Sequence, residues 1–122
     1  TQAALPALRA AAEERPGADL VLISSTAGLL GFAGGSVYGA AKWGLRGFGK
    51  SLQEELKPAN IRVTLVFPGS TDTEFFDRFP AGIPREAMLR PDEVAAPVLA
   101  VLAARPDVLF EELTIRPRVV KT

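Results

Sequence analysis

An α/β fold on a parallel sheet is what this sequence predicts, and two observations carry the prediction. Helical and strand patterns alternate in the order helix, strand, helix, strand, loop, helix, strand. Alternation of this kind implies parallel strands joined by right-handed crossovers. The first strand pattern, residues 20–23, is also a short unbroken apolar run. Such a run suits a strand buried on both faces beneath helices.

Each element has its own signal. Residues 1–13 are rich in Ala and Leu and read as the end of a helix, which Pro16-Gly17 breaks. Asp19 leads into the strand at 20–23, and Gly31 to Gly35 form a loop. Ser36 is the expected N-cap of the next helix, 37–57, which stops before Pro58. Its expected apolar stripe is Ala41, Leu45, Phe48, Leu52 and Leu56, at spacings of three and four. The helix also carries Gly39, Gly44, Gly47 and Gly49. At roughly 1 kcal/mol each relative to Ala, the four would cost an isolated helix about 4 kcal/mol, so close approach of another backbone is expected. The second strand is 61–67, ending at Pro68-Gly69. Residues 70–90 are a long irregular stretch containing Phe75, Phe76 and Phe79, which either cover a substrate or pack on the body of the domain. Pro91 opens a helix with Asp92 and Glu93 in its first turn, as the macrodipole prefers. Val94, Val98, Val101 and Leu102 are its expected buried side, and Pro97 predicts a kink or a lost hydrogen bond. A last short strand covers 113–115. The 122 residues read as one domain, 1–122.

Composition narrows the chemistry. Fourteen basic and fourteen acidic residues balance, which argues against an electrostatic grip on nucleic acid or anionic membrane. No apolar stretch reaches the ~20 residues of a membrane-spanning helix, and the expected location is cytoplasmic. With no cysteine and no histidine, disulfides, thiolate metal sites and the commonest metal ligand and general base are all absent. No metal site is expected, and acid–base work falls to Tyr, Lys, Asp or Glu.

The sharpest feature is Tyr38-Gly-Ala-Ala-Lys42, with Ser25 thirteen positions upstream of Tyr38. Residues at i and i+4 share a helix face, so a phenol and an ammonium can act on one substrate atom. A free phenol titrates near pKa ~10, too high to carry protons well at neutral pH. An adjacent cation favours its ionised form. Ser25 and Pro68-Gly69 both follow strand ends, where ligands of open α/β sheets bind. Gly69 suits a close approach of ligand to backbone. Taken singly, Tyr38 reads as a half-buried helix-start residue, Lys42 as a surface charge, and Ser25 and Pro68-Gly69 as turns. Glu54-Glu55 and Arg85/Glu86 read as solvated faces.

Three segments together, 20–28 (Leu-Val-Leu-Ile-Ser-Ser-Thr-Ala-Gly), 38–42 and 68–73 (Pro-Gly-Ser-Thr-Asp-Thr), resemble the short-chain dehydrogenase/reductase family. The resemblance runs from about residue 1 to 117 and covers the second half of that family's fold. It implies a three-layer Rossmann-like parallel sheet whose first βαβ units, with their glycine-rich pyrophosphate turn and catalytic Asn, do not occur in this sequence. Gly28, Gly31, Gly34 and Gly35 follow the serine strand, the wrong place for a dinucleotide fingerprint. The chain is therefore expected to be a C-terminal portion of such a domain. The implied activity is NAD- or NADP-dependent hydride transfer to or from an alcohol or carbonyl compound. Tyr38 would be the acid/base. Lys42 would favour its ionised form and hydrogen-bond the nicotinamide ribose, and Ser25 would hold the substrate oxygen, with Ser24 the weaker candidate. Pro68 and Gly69 would line the nicotinamide. The Thr71 backbone would meet the carboxamide, and the Thr73 hydroxyl would assist the carboxamide or phosphate. The 37–57 helix would pack across a homo-oligomer axis. The alternative is a non-catalytic associating module that lacks the cofactor-phosphate site.

Overall fold

The computed structural model describes residues 1–78 and 82–118. Its elements run α1 (Leu5–Glu14), β1 (Ala18–Ile23), α2 (Ser36–Leu56), β2 (Ile61–Pro68), α3 (Pro91–Leu102) and β3 (Glu112–Ile115), with short 3-10 turns between them. The three strands form one parallel sheet in the order β1-β2-β3. Ala18 pairs with Ile61 and Ile23 with Val66; Leu65 pairs with Glu112 and Pro68 with Ile115. The expected α/β architecture is present; β1 begins two residues and β3 one residue earlier than the apolar runs alone suggested, and β2 begins at 61 as expected.

The period-two alternation of β2 divides its side chains between two helical layers. Ile61 and Val63 join Ala18, Leu52 and Leu56 in a buried cluster, and Leu5, Leu8, Leu20 and Leu22 pack on it. This places α1 and α2 on one face. Arg62 points to the other face. Its Nε and Nη2 grip both Asp19 oxygens at 2.8 and 2.9 Å. Its Nη1 donates to the carbonyls of Arg105 (2.8 Å) and Val108 (2.9 Å), in the loop after α3. The guanidinium therefore ties β1, β2 and the end of α3 into one unit on that face. Thr64 and Val66, on the same side, are buried.

The buried arc of α2 differs from the expected stripe. Leu52 and Leu56 are buried, but Phe48 is 47% exposed and Ala41 also faces outward. The helix is rotated so that Gly49 and Gln53 meet the sheet. A Cβ on Gly49 would lie 2.6 Å from Leu65 Cδ2, so only glycine allows α2 this close to β2. Gly44 and Gly47 face open space. The Gln53 amide donates to the Val63 carbonyl (3.0 Å) and the Glu111 carbonyl (2.8 Å). The Val63 carbonyl points along the edge that β3, starting only at Glu112, does not reach. Buried polar groups need such partners.

Two further details depart from expectation. Gly35, not Ser36, is the N-cap of α2, and the Phe32 ring occupies the space a side chain at 35 would need. At α3 the Glu93 carboxylate accepts from the Arg90 N–H at 2.7 Å, and the helix continues through Pro97. Val101 is buried there, whereas Leu102 is 43% exposed. No helix among the described residues is long and apolar enough to cross a membrane.

Two stability measurements follow. Ala at Gly44 or Gly47 should raise the urea midpoint, each worth about 0.5–1 kcal/mol through helix propensity. Gly49→Ala should lower it by about 1 kcal/mol net, because overpacking costs ~1–3 kcal/mol against a gain of ~1. A stabilised Gly49→Ala protein would contradict the close approach. The second concerns acid. Arg46 Nε and Nη2 hold Glu112 at 2.9 and 3.0 Å, joining α2 to β3. This hydrogen-bonded ion pair holds the Glu112 carboxyl below its ordinary range. Its stabilisation is full above the unfolded value of ~4.3 and is lost as pH falls through the lower folded value. Denaturant titrations at pH 7 and pH 3 should differ less for Glu112→Gln than for the unmodified protein.

Candidate active site

The carboxyl ends of β1 and β2 bring the motif residues to one end of the sheet. Ile23 lies opposite Val66, and the Ser24 N–H donates to the Val66 carbonyl at 2.7 Å. Continuing that register sets Ser25 level with Pro68, the last residue of β2. After Ile23 the chain turns through a 3-10 segment, Thr26–Gly28, with Ser25 as its N-cap. The Ala27 N–H donates to Ser25 Oγ at 3.1 Å. That bond uses an oxygen lone pair and leaves the hydroxyl proton for another acceptor.

This turn docks on the first part of α2. A Cβ on Gly28 would lie 2.9 Å from the Lys42 carbonyl oxygen, and one on Gly39 would lie 4.0 Å from the Ala27 carbonyl. Ser24 Oγ sits 3.5 Å from the same Lys42 oxygen and is buried. Ser24 thus faces the helix backbone, and Ser25 stays half-buried beside the stretch that carries Tyr38 and Lys42. Lys42 Nζ lies 5.5 Å from the centre of the Tyr38 ring, within cation–π range. Tyr38 is 37% exposed.

Beyond β2, the Gly69 N–H donates to the Ile115 carbonyl at 2.7 Å and prolongs the ladder. A Cβ at Gly69 would also lie 2.9 Å from Pro117 Cδ, and its φ is not in the positive range. Thr71 bridges to Leu89 through the Asp72 N–H and the Ser70 carbonyl, so its own N–H faces away from that bridge. Thr71 Oγ1 donates to the Gly69 carbonyl at 3.0 Å, and Thr73 Oγ1 to the Thr71 carbonyl at 3.4 Å.

Phe75 reaches back over the site. Its ring centre is 6.0 Å from that of Tyr38, and Phe76 meets Phe75 edge-on at 5.4 Å. Phe79 lies outside the described residues. Arg85, expected on a solvated face, instead pairs with Asp72 and Asp77 and donates to the Thr73 carbonyl at 2.9 Å. Sequence reasoning missed Arg85 because its partners are thirteen and eight residues away, across an irregular segment. Two Asp followed by two Arg in one loop, Asp72, Asp77, Arg78 and Arg85, was the available signal.

The described residues contain no group of three or more His, Cys, Asp or Glu placed to hold a metal ion. The short chain dehydrogenase family model matches residues 1–83. A trans-4-hydroxycyclohexanecarboxylate dehydrogenase of Sinomonas cyclohexanicum is 47% identical over 72 residues, 59% of this chain and 26% of that protein. A 3-ketodihydrosphingosine reductase of Bos taurus is 36% identical over 101 residues, 76% of this chain and 30% of that protein. An alcohol dehydrogenase from the archaeon Thermococcus sibiricus, solved with 5-hydroxy-NADP, superposes with a TM-score of 0.77 at 29% identity. That match covers 97% of this chain and 47% of the solved one. The chain thus spans less than half the length of these relatives.

Gly28→Ala tests how the site is assembled. The nearest obstructing atom, the Lys42 carbonyl oxygen, is helix backbone and cannot turn aside, so the turn carrying Ser25 must shift. A destabilisation of about 1–3 kcal/mol is expected in denaturant titration. An unchanged midpoint would mean that the turn does not rest on α2.

Proposed function

The chain belongs to the short-chain dehydrogenase family, and from that premise we propose that it carries the proton-transfer end of an NAD- or NADP-dependent oxidoreductase acting on an alcohol or carbonyl compound. What supports the proposal is that the turn capped by Ser25 docks on the part of α2 that carries Tyr38 and Lys42, with the lysine ammonium 5.5 Å from the centre of the phenol ring. The donors suit a nicotinamide nucleoside. Lys42 and Tyr38 would hold the ribose hydroxyls, and the outward N–H of Thr71, with the Thr73 hydroxyl, would hold the carboxamide. Pro68 and Gly69 would lie along the ring. The glycine-rich turn that grips a pyrophosphate does not occur in this sequence.

The bound cofactor supplies or accepts the hydride. In reduction, Tyr38 gives its phenolic proton to the substrate oxygen, while the Ser25 hydroxyl donates a hydrogen bond to the same oxygen. Lys42 stabilises the phenolate that Tyr38 becomes. In oxidation the proton returns to Tyr38. Acid catalysis of this kind is worth ~10²–10⁴-fold, and holding the reactants in line contributes further.

A second reading, an associating module without catalysis, is favoured by the outer stripe of α2. Val37 is 85% exposed and Phe48 47%, with Gly44 open beside them. Exposed apolar stripes of this kind are where association would occur, and the same stripe would serve a homo-oligomer of the enzyme. Binding of NADH or NADPH, followed by fluorescence, separates the readings.

Tyr38→Phe should lower turnover by at least about 10²-fold, with a much smaller loss of cofactor affinity from the missing ribose contact. Undiminished turnover would remove Tyr38 from the acid role. Lys42→Ala should weaken both turnover and cofactor binding; a change in neither would make it a surface charge only.

A further inference from the structure

Residues 71 and 89 close the base of an excursion that returns to the site. The Asp72 N–H donates to the Leu89 carbonyl at 2.8 Å, and the Leu89 N–H to the Ser70 carbonyl at 2.9 Å. Inside that base, the 3-10 turn Glu74–Arg78 carries Phe75 and Phe76. One guanidinium grips both ends of this turn. Arg85 Nη1 pairs with Asp72 and donates to the Thr73 carbonyl before the turn, and Nη2 pairs with Asp77 within it. Only a planar fork with several donors can span two carboxylates and a carbonyl at once. The turn so held lays Phe75 beside Tyr38, with ring centres 6.0 Å apart. Phe75 is 48% exposed and Tyr38 37%, so an open aromatic face lies beside the phenol ring.

We propose that Arg85 is a positioning residue whose fork fixes the Phe75 turn over Tyr38, and that Phe75 held there selects carbonyl compounds with an apolar substituent. The proposal rests on the oxidoreductase reading above. Both carboxylates are substantially exposed, at 46% for Asp72 and 63% for Asp77, so the grip is screened by salt.

The test uses the whole protein with saturating NADH or NADPH, and acetophenone and acetone as probes. Arg85→Gln should raise KM for acetophenone by about 3–10-fold, the range two exposed ion pairs can supply. The kcat should stay within about 2-fold, and acetone should respond little. Hydrogen exchange across 72–78 should quicken. Arg85→Lys, a point charge able to serve one carboxylate, should recover only part of the loss. Added NaCl should raise the acetophenone KM of the unmodified protein and leave that of Arg85→Gln unchanged. Unchanged exchange would overturn the grip. Quickened exchange with an unchanged KM would overturn the selectivity, as would equal KM changes for both ketones. A fall in kcat at constant KM would overturn positioning in favour of a chemical role. Residual turnover of Tyr38→Phe bears only on the acid role, because the KM ratio is still read on that turnover.

Discussion

The seating of α2 on the sheet without clearance is the constraint on which the rest depends. At one end Gly49 rests on Leu65, where a Cβ would fall 2.6 Å from the side chain. At the other, Gly28 lies against the Lys42 carbonyl, 2.9 Å from where its Cβ would stand. A helix touching the sheet at one such point and the turn after β1 at another has little freedom to tilt, because cores at native density do not deform continuously. Tyr38 and Lys42 belong to the end of that helix that meets the Ser25 turn. The relation of phenol, ammonium and hydroxyl therefore follows from two absent side chains.

Charges complete what packing begins, and they are spent on joining elements. Arg62 binds β1, β2 and the loop after α3. Arg46 and Lys50 reach from α2 to Glu112 and Glu111 at the start of β3. Arg46 also lies 5.8 Å from the Trp43 and Phe67 ring centres. The partly buried bidentate pairs among them, Arg62 with Asp19 and Arg46 with Glu112, fix geometry more than they add stability. β3 in turn holds Gly69 through the Ile115 carbonyl, so the strand end that faces the proposed cofactor site is anchored from α2 by way of β3.

Much of this was legible in the sequence. The strand at β1, the long helix α2 and the order Ser25, Tyr38, Lys42 were readable because apolar runs and an i, i+4 spacing are local signals. The rotation of α2 was not. An apolar stripe is drawn through large side chains, whereas the closest contact here is made by glycine and the deepest polar contact by Gln53. The close contact at Gly69 escaped for a similar cause, since Pro117 approaches it from 48 positions downstream, across β3. Arg85 looked like surface charge because solvation is the default for arginine and its carboxylates lie across an irregular stretch. What eluded the sequence in each case was a contact between segments whose spacing has no period.

Gln53 has a mechanical consequence. Apolar contacts resist axial travel of a helix through interdigitation but have no directional partner that fixes its register. An amide locked to two fixed carbonyls supplies one, because any axial travel breaks both bonds at once. Gln53 is therefore a key that sets the position of a rod. Fifteen residues separate it from Tyr38, about 22 Å of helix at ~1.5 Å per residue. A stiff rod passes axial displacement along its length, so Gln53 adds a hydrogen-bonded register at the far end of the helix to the Gly28 contact beside the phenol.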